Sequence, residues 1–301
     1  MHSSGLSLSI GSVVQCVFLA GVAYILAGAP FSSLVSSDLA ASYPAGASRG
    51  VAGAGAGGSN LGDKLDSLVF PEANLTCAEH GYKGVYVLSR EPLVVYIEGF
   101  LSPREAESVV ALSEPHFIPS TTFNAGIESL NPLVRNSEKA PLPRDQTVKC
   151  IEERARRFQG WRPHVFIEKL WSQRYRVGGH YTYHYDWSTA TRTSGRVSSF
   201  MAYLSANCTG GGTHFPRLTR PHGSEWCKFI ECEFPKIEDV DEKAAGLREG
   251  VIFKPIAGNA VFWENMRSDG SGYLESWHAG LPVKSGVKIG LNIWSWYQAG
   301  L

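Results

Sequence analysis

Residues 173–187 read Gln-Arg-Tyr-Arg-Val-Gly-Gly-His-Tyr-Thr-Tyr-His-Tyr-Asp-Trp and place an imidazole and a carboxylate two positions apart, at His184 and Asp186. Side chains of a β-strand alternate between two faces, so these two residues point to the same face of a strand. No other His-x-Asp triplet occurs in the sequence. The pair by itself predicts either two ligands of a metal ion or an ordinary surface pair.

A second cluster, from Ser276 to Lys288, favours the metal interpretation. His278 lies at the edge of a late strand. Together with His184 and Asp186 it would complete a set of two histidines and one carboxylate, the facial triad typical of non-haem Fe(II) oxygenases. Such a triad leaves open positions on the metal for a bidentate co-substrate and O2. Lys288 lies inside an apolar strand, where a lysine needs an anionic partner. A bound dicarboxylate would provide that partner. The alternatives are a loop histidine and an edge-strand lysine whose amine reaches solvent.

The N-terminal region differs in composition from the rest of the chain. Residues 10–29 carry no charged side chain, and their length is close to the roughly 20 residues of a membrane-spanning helix. Ala27-Gly28-Ala29 is typical of a signal-peptidase site, although Pro30 follows it and no Lys or Arg precedes the run. We predict a signal-anchor or cleaved signal peptide over residues 1–30, and a flexible Ala/Gly/Ser-rich stalk over residues 31–74.

The charge balance limits the partners of the remaining domain, residues 75–301. The whole sequence has 28 Lys and Arg against 28 Asp and Glu, so its formal net charge is zero. A nucleic-acid surface needs a clustered basic excess. The composition therefore argues against a nucleic-acid partner and predicts a folded domain, because 44% of the residues are hydrophobic.

Two glycosylation sequons are consistent with a lumenal domain. They are Asn74-Leu-Thr76 and Asn207-Cys-Thr209, and each alone is a weak signal. Together with the N-terminal segment they predict a single-pass protein of the endoplasmic reticulum with a lumenal C-terminal domain. The alternative is a lumenal or secreted protein after signal cleavage.

The cysteines are consistent with an oxidising compartment but do not define a zinc site. Besides Cys16 in the apolar run there are Cys77, Cys150, Cys208, Cys227 and Cys232. Because five is odd, at least one of them is free or pairs with another chain. One disulfide among the last three is expected, and the pairing is otherwise open.

In the domain, one predicted strand and two predicted helices come before a series of further strands. Leu93–Ile97 is β-branched and aromatic, which predicts a strand. Ser102-Pro-Arg-Glu105 is a capping box that predicts a helix to Ser113. A second helix is predicted from Asp145 to Phe158. The later apolar runs, which predict strands, are Val165–Tyr175, Ser198–Leu204, Gly250–Phe253, Ala260–Trp263 and Lys288–Trp296. This order favours an α+β fold or a double-sheet β fold.

Further motifs occur in order along residues 90–298. They are Ser89-Arg-Glu-Pro92, Gly99-Phe-Leu-Ser102, Arg135-Asn-Ser137, Arg174-Tyr175-x-x-Gly178, Tyr203-Leu204, Gly211-Gly-Thr213-x-Phe215-Pro216 and His278-Ala-Gly-x-Pro282-Val283. With the His184/Asp186 pair and Lys288, this series resembles the catalytic domain of prolyl 4-hydroxylases. The resemblance implies an α+β fold in which a double-stranded β-helix (jelly-roll) core is flanked by N-terminal helices.

The resemblance also implies cofactors and their ligands. Fe(II) would be held by His184, Asp186 and His278, with O2 as oxidant and ascorbate as reductant. Lys288 would pair with the distal carboxylate of 2-oxoglutarate. The remaining co-substrate residues would be Tyr175 and Thr213, as hydrogen-bond donors, and Trp294, as a wall of the same pocket. For these last three residues, ordinary core packing is the alternative.

Two features depart from the family pattern. His180 stands where the family commonly has Gln, and it would be a substrate-side residue, a residue behind the metal ligands or a weak competitor for metal. Residues 217–250 resemble an insertion of fungal-type members, with Trp226, Cys227 and Cys232. Their acidic run at residues 238–242 predicts a solvated loop.

The implied function is hydroxylation of a peptidyl-proline, with succinate and CO2 as co-products and a proline-containing peptide or protein as partner. The first alternative keeps this chemistry and changes the substrate to a free amino acid or a small metabolite. The second is a non-catalytic jelly-roll binding module, which is disfavoured because all three ligands and the lysine are present.

Overall fold

Two antiparallel sheets form the body of the molecule. The structure, a computed structural model, describes residues 61–124, 127–187, 194–233 and 249–298. The predicted signal segment, the stalk up to residue 60, Cys16 and the acidic run at residues 238–242 lie outside the described residues. No helix in the described ranges is long and apolar enough to cross a bilayer.

Three α-helices occur in the described ranges: α1 (Leu61–Asp66), α2 (Pro103–Ser113) and α3 (Gln146–Phe158). The capping box of α2 is formed, because Ser102 Oγ accepts from the Glu105 amide at 3.2 Å and Glu105 Oε2 accepts from the Ser102 amide at 2.8 Å. Helix α3 begins where the Asp145 carboxylate accepts from the Val148 amide at 2.8 Å. Both helices predicted from the sequence are confirmed, and both precede the strands β9–β17.

The strands are short except for two long ones near the centre. They are β1 (Leu68–Val69), β2 (Gly84–Arg90), β3 (Leu93–Glu98), β4 (Ile118–Pro119), β5 (Thr122–Asn124), β6 (Ile127–Ser129), β7 (Arg135–Asn136), β8 (Glu138–Pro141), β9 (Val165–Glu168), β10 (Trp171–Tyr175), β11 (His180–His184), β12 (Ser194–Gly210), β13 (Thr213–Phe215), β14 (Val251–Phe253), β15 (Ala260–Glu264), β16 (His278–Gly280) and β17 (Val283–Gln298).

The strand order is that of a double-stranded β-helix. The larger sheet runs β2-β3-β15-β12-β17-β10-β8-β4, with β9 beside β17 and β1 beside β9. The smaller sheet runs β14-β13-β16-β11-β7. Strands β5 and β6 form a separate hairpin. The predicted jelly-roll core is therefore confirmed.

Alternation along β17 separates the core from the interior chamber. Its odd-numbered residues Ile289, Leu291 and Ile293 belong to a buried cluster that also contains residues of α2 and α3. Its even-numbered residues Lys288 and Trp294 therefore point to the other face of the larger sheet, towards the smaller sheet. Burial of each large apolar side chain on the helix side contributes about 1.5–3 kcal/mol, which fixes the register and with it the direction of the even-numbered residues.

The N-terminal boundary of the folded part lies before the predicted one. Residues 61–69 were assigned to the flexible stalk, but β1 pairs with β9 through Leu68 and Val69. Lys64 Nζ lies 2.9 Å from the Glu168 carboxylate. The Ala/Gly/Ser-rich composition that predicts a stalk does not extend to this segment, whose two apolar residues complete the edge of β9.

Two disulfides occur among the described cysteines. Cys227 pairs with Cys232, as expected for one bond among the last three cysteines. Cys77 pairs with Cys150 of α3, a bond that the sequence left open. Cys208 carries the free thiol that the odd number requires.

The two disulfides are expected to contribute unequally to stability, because a longer closed loop restricts the unfolded chain more. Their sequence separations are 73 and 5 residues, which correspond to about 4 and 2 kcal/mol of unfolding free energy. Urea unfolding should show the larger loss for Cys77→Ser/Cys150→Ser and the smaller loss for Cys227→Ser/Cys232→Ser, with Cys208→Ser as control. Equal losses would contradict the loop-length argument.

Candidate active site

The three predicted metal ligands meet at the mouth of the jelly roll. The β11–β16 ladder places His184 directly opposite His278, and Asp186 follows two residues after His184. One ligand atom from each residue lies within 4.8 Å of the others. His184 Nε2 is 3.7 Å from Asp186 Oδ1. The structure therefore brings together two sequence clusters that are far apart in the chain.

Backbone carbonyls fix the tautomer of both histidines. His184 Nδ1 donates to the Thr182 carbonyl at 2.8 Å, and His278 Nδ1 donates to the Ser276 carbonyl at 2.9 Å. A carbonyl only accepts, so Nδ1 carries the proton and Nε2 offers its lone pair. This arrangement behind the ligands is typical of metal-binding histidines.

The Asp186 carboxylate is held through one of its two oxygens. Asp186 Oδ2 accepts from Ser199 Oγ at 2.7 Å and from the Trp294 indole at 3.1 Å. Ser199 in turn accepts from the Asn265 amide at 2.8 Å. Asp186 Oδ1 is thereby directed towards His184. Trp294 thus has a partner in the metal site, a contact that the sequence did not predict.

The protonation states suit metal ligation. Burial, assisted by the neighbouring His278, lowers the pKa of His184 to about 3. Burial alone would raise the pKa of Asp186, but the neighbouring His278 and His184 rings, the Arg196 guanidinium and the hydrogen bond from Ser199 hold it below its usual value. At neutral pH the site therefore presents a neutral His184 imidazole and a carboxylate, the forms that bind a metal ion.

The predicted co-substrate lysine is buried beside this cluster. Lys288 is 2% exposed, and its Nζ donates to the Gly211 carbonyl at 2.7 Å. It lies 5.2 and 5.5 Å from the ring centroids of Tyr175 and Tyr203. No carboxylate lies within ion-pair distance of Lys288 in the described ranges. Burial lowers its pKa to about 8, because a charged amine without a counter-ion is costly in a dry environment.

Hydroxyl groups surround the lysine. Tyr175 lies directly opposite Lys288 in the β10–β17 ladder, and its hydroxyl interacts with Ser137 and Arg135 of the predicted R-x-S element. Thr213 is buried, and its Oγ1 is 2.9 Å from the Tyr203 hydroxyl. Lys288 therefore lies beside Tyr175 and Tyr203, and Thr213 contacts Tyr203. That Tyr175 and Thr213 bind the co-substrate stays a prediction.

An ion pair between the half-buried Arg196 and the buried Glu168 lies behind the site. Arg196 forms two hydrogen bonds with the Glu168 carboxylate, at 2.7 and 3.0 Å. The Arg196 guanidinium lies 3.9 Å from the centroid of the Trp294 ring. Sequence reasoning missed this pair, together with Ser199 and Tyr203. The alternation of side chains along β12 could have identified Ser199 and Tyr203, because every second residue of that strand points towards the chamber.

His180 does not belong to the metal cluster. Its Nδ1 is 2.9 Å from the Gly178 carbonyl, and its Nε2 is 3.2 Å from the Leu133 carbonyl. Both ring nitrogens therefore contact backbone oxygens, which gives this residue a structural role at the start of β11.

The residues present fit an Fe(II) ion and a dicarboxylate. Two imidazole lone pairs and one carboxylate oxygen form a three-ligand face, which leaves the other side of an ion open. The buried, uncompensated Lys288 amine fits a carboxylate that arrives with a ligand. A jelly roll with this pair of neighbouring sites defines an Fe(II)/2-oxoglutarate-dependent dioxygenase.

Comparisons with known proteins agree with this class. The pattern of the 2OG-Fe(II) oxygenase superfamily matches residues 170–296. Prolyl 4-hydroxylase 5 of Arabidopsis thaliana is 30% identical over 224 residues, which cover 71% of this chain and 72% of that protein. Human prolyl 4-hydroxylase subunit alpha-3 is 26% identical over 219 residues, which cover 69% of this chain and 34% of that protein.

One solved structure also aligns with this chain. The viral collagen prolyl hydroxylase of Paramecium bursaria Chlorella virus-1, in its 2OG complex, is 25% identical, with a TM-score of 0.48 over 68% of this chain and 96% of that one. On the sequence relationship, the chain belongs to the prolyl 4-hydroxylase family of 2OG-Fe(II) oxygenases. It is a 2-oxoglutarate-dependent dioxygenase that uses Fe(II), 2-oxoglutarate and O2, and the non-catalytic alternative is set aside.

Replacement of Lys288 separates ligand binding from folding. Lys288→Met is expected to weaken 2-oxoglutarate binding at least about 100-fold, since loss of one partner of a buried ion pair costs about 3–5 kcal/mol. The free energy of unfolding of the ligand-free protein should not fall, because the variant removes a buried charge without a counter-ion. Calorimetric titration with Mn(II) in place of Fe(II) measures the affinity, and Lys284→Met, an exposed lysine of the same strand, is the control.

The same titration has a defined pH dependence. The pKa of Lys288 is lowered to about 8, so the ammonium form that pairs with a carboxylate is lost as the pH rises through that value. The affinity of the native chain should therefore decline above pH 8, whereas that of Lys288→Met should stay flat. A decline of equal size in both proteins would contradict the assignment.

Proposed function

We propose that this chain hydroxylates proline residues in a peptide or protein substrate. The observation that carries the proposal is the juxtaposition of the His-Asp-His cluster with the uncompensated, buried Lys288. The family membership supports the choice of substrate, since the curated relatives are prolyl 4-hydroxylases. The competing substrate is a free amino acid or a small metabolite.

Each predicted site residue has a role in this proposal. His184 and His278 would hold Fe(II) through Nε2 and Asp186 would hold it through Oδ1, while Ser199 and Trp294 keep the carboxylate in place. Fe(II), when bound, supplies the activation of O2 that couples hydroxylation of a C–H bond to conversion of 2-oxoglutarate into succinate and CO2. Ascorbate serves as the external reductant in this proposal.

In this proposal the co-substrate is positioned from both sheets, by Lys288 and Tyr175 of the larger sheet and by Thr213 of the smaller one. The Lys288 ammonium pairs with the distal carboxylate of 2-oxoglutarate, and the Tyr175 and Thr213 hydroxyls donate to the same group. Aromatic rings keep water away from the ligands. Phe215 and Trp263 lie 5.2 and 4.8 Å from the His278 ring, measured between centroids. A dry chamber strengthens each of these charge-assisted contacts.

The activity test measures succinate and peptide hydroxylation together. The purified chain with Fe(II), 2-oxoglutarate and ascorbate should form succinate faster when a proline-rich peptide is present, and the peptide should gain oxygen at proline by mass spectrometry. His184→Ala should abolish both signals, because it removes one of three ligands. His222→Ala, an exposed histidine, is the matched control. Succinate formation without peptide stimulation would shift the substrate to a small molecule.

We also propose that the domain resides in the lumen of the endoplasmic reticulum, attached to the membrane by residues 1–30 or released from it by cleavage. Two disulfides and two exposed sequon asparagines, Asn74 and Asn207, are compatible with an oxidising, glycosylating compartment.

Glycosylation provides a direct test of this location. After expression in a eukaryotic secretory host, the chain should migrate faster after peptide N-glycosidase treatment, since both asparagines are accessible to the transferase. Asn74→Gln and Asn207→Gln should each remove part of the shift. An unshifted band from membrane and medium fractions alike would argue against the lumenal location.

A further inference from the structure

The alternation that points the metal ligands inward points four aromatic side chains outward. Tyr183, Tyr185 and Trp187 alternate with His184 and Asp186 along β11 and the turn after it, and Trp277 precedes His278. Trp187 is partly buried against a small apolar cluster. The ring centroid of Trp277 is 6.2 Å from that of Tyr183 and 4.5 Å from that of Tyr185. The centroids of Tyr185 and Trp187 are also 4.5 Å apart. We call Tyr183, Tyr185, Trp187 and Trp277 the outer aromatic face.

These rings are fixed before any partner arrives. His214 is fully buried, and its Nε2 donates to the Glu249 carbonyl at 2.8 Å. His214 Nδ1 therefore accepts from the Tyr183 hydroxyl at 2.6 Å. The Trp187 indole donates to Ser276 Oγ at 3.1 Å. Ordered aromatic rings lose little rotamer entropy on binding, so the outer aromatic face is preorganised for a ligand.

The face offers ring surface, one indole N–H and a guanidinium rather than acceptors. The Trp277 indole N–H has no acceptor within the part of the chain that the structure describes. Arg217 is exposed beside it, 5.6 Å from the Trp277 ring centroid, and contacts only the Tyr185 hydroxyl and the Leu274 carbonyl by hydrogen bonds. No carboxylate pairs with Arg217 in the described ranges. A complementary ligand therefore supplies flat apolar surface, carbonyl acceptors and a negative charge.

We infer that the outer aromatic face binds a proline-rich segment in the polyproline II conformation that carries an acidic residue next to Arg217. Proline offers an apolar ring and a carbonyl but no backbone N–H, and polyproline II leaves its carbonyls free for the Trp277 N–H. The acidic residue follows from charge complementarity with Arg217.

This surface cannot hold the proline that reacts. It lies on the outside of the smaller sheet, whose inner face carries His184 and His278. The inference therefore rests on the proposed function and extends it. A substrate with several proline-rich stretches would bind one stretch outside while another enters the chamber, which raises the local concentration of target prolines.

The first experiment measures binding without turnover. A proline-rich peptide of about 12 residues, four turns of polyproline II, with one Glu is titrated calorimetrically into the full chain in the absence of Fe(II). Trp277→Leu and Tyr183→Ala should each weaken binding about 10-fold, which corresponds to loss of one aromatic contact. Tyr183→Phe, which keeps the ring, should bind nearly as tightly as the native chain. Arg217→Gln should lose the preference for Glu over Lys in the peptide.

The second experiment compares two substrates. Trp277→Leu should raise the KM for a target peptide with a proline-rich extension, and leave the KM and kcat for the target peptide alone unchanged. Trp161→Ala, an aromatic residue that is 51% exposed elsewhere, is the matched control, and thermal unfolding shows whether each variant is folded. Equal effects on both peptides, or none on either, would overturn the inference.

The outcomes separate the two proposals. Peptide binding that depends on Trp277, without proline hydroxylation, supports the outer site and rejects the proposed substrate. Proline hydroxylation with binding that is insensitive to Trp277, Tyr183 and Arg217 rejects only the outer site. Binding of a glucan oligosaccharide instead of the peptide, lost in the same variants, would assign the face to a sugar and overturn the polyproline assignment.

Discussion

The structure of the site depends on one uncompensated charge, the buried ammonium of Lys288. Burial lowers the pKa of this amine, and the buried charge destabilises the ligand-free protein. The rest of the fold therefore has to keep the side chain inside. Strand β17 does so by burying Ile289 and Leu291 on the opposite face under the helices. The cost of the unpaired charge becomes binding energy when a carboxylate enters, which explains why a hydrophobic strand retains a lysine.

The metal ligands depend on a different constraint, the register between β11 and β16. A slip of one residue would turn His184 and His278 outward and bring Tyr183 and Trp277 into the chamber. The carbonyls of Thr182 and Ser276 then set the imidazole tautomers. Two backbone contacts and one ladder thus orient ligands that come from distant parts of the chain.

Much of this arrangement could be predicted from the sequence, because the decisive signals are local. The Ser102 capping box, the His-x-Asp spacing and the lysine in an apolar strand each have a physical meaning within a few residues. The partners of Asp186 could not be predicted in the same way. Ser199 and Trp294 reach it only through the pairing of β12 with β17, and strand pairing over long distances leaves no periodic trace. The Cys77–Cys150 bond was open for the same reason, since spacing alone does not define connectivity.

The early boundary of the fold has a mechanical consequence. Lys64 contacts Glu168, Glu168 holds Arg196, Arg196 lies over Trp294, and Trp294 donates to Asp186. Tension applied at Leu61 would load the two-residue β1–β9 ladder and the Lys64 contact before any other part of the domain. Four contacts therefore connect Lys64 with the Asp186 carboxylate of the metal site. A force applied to the chain before Leu61 would act first on the contacts that hold Asp186 in place.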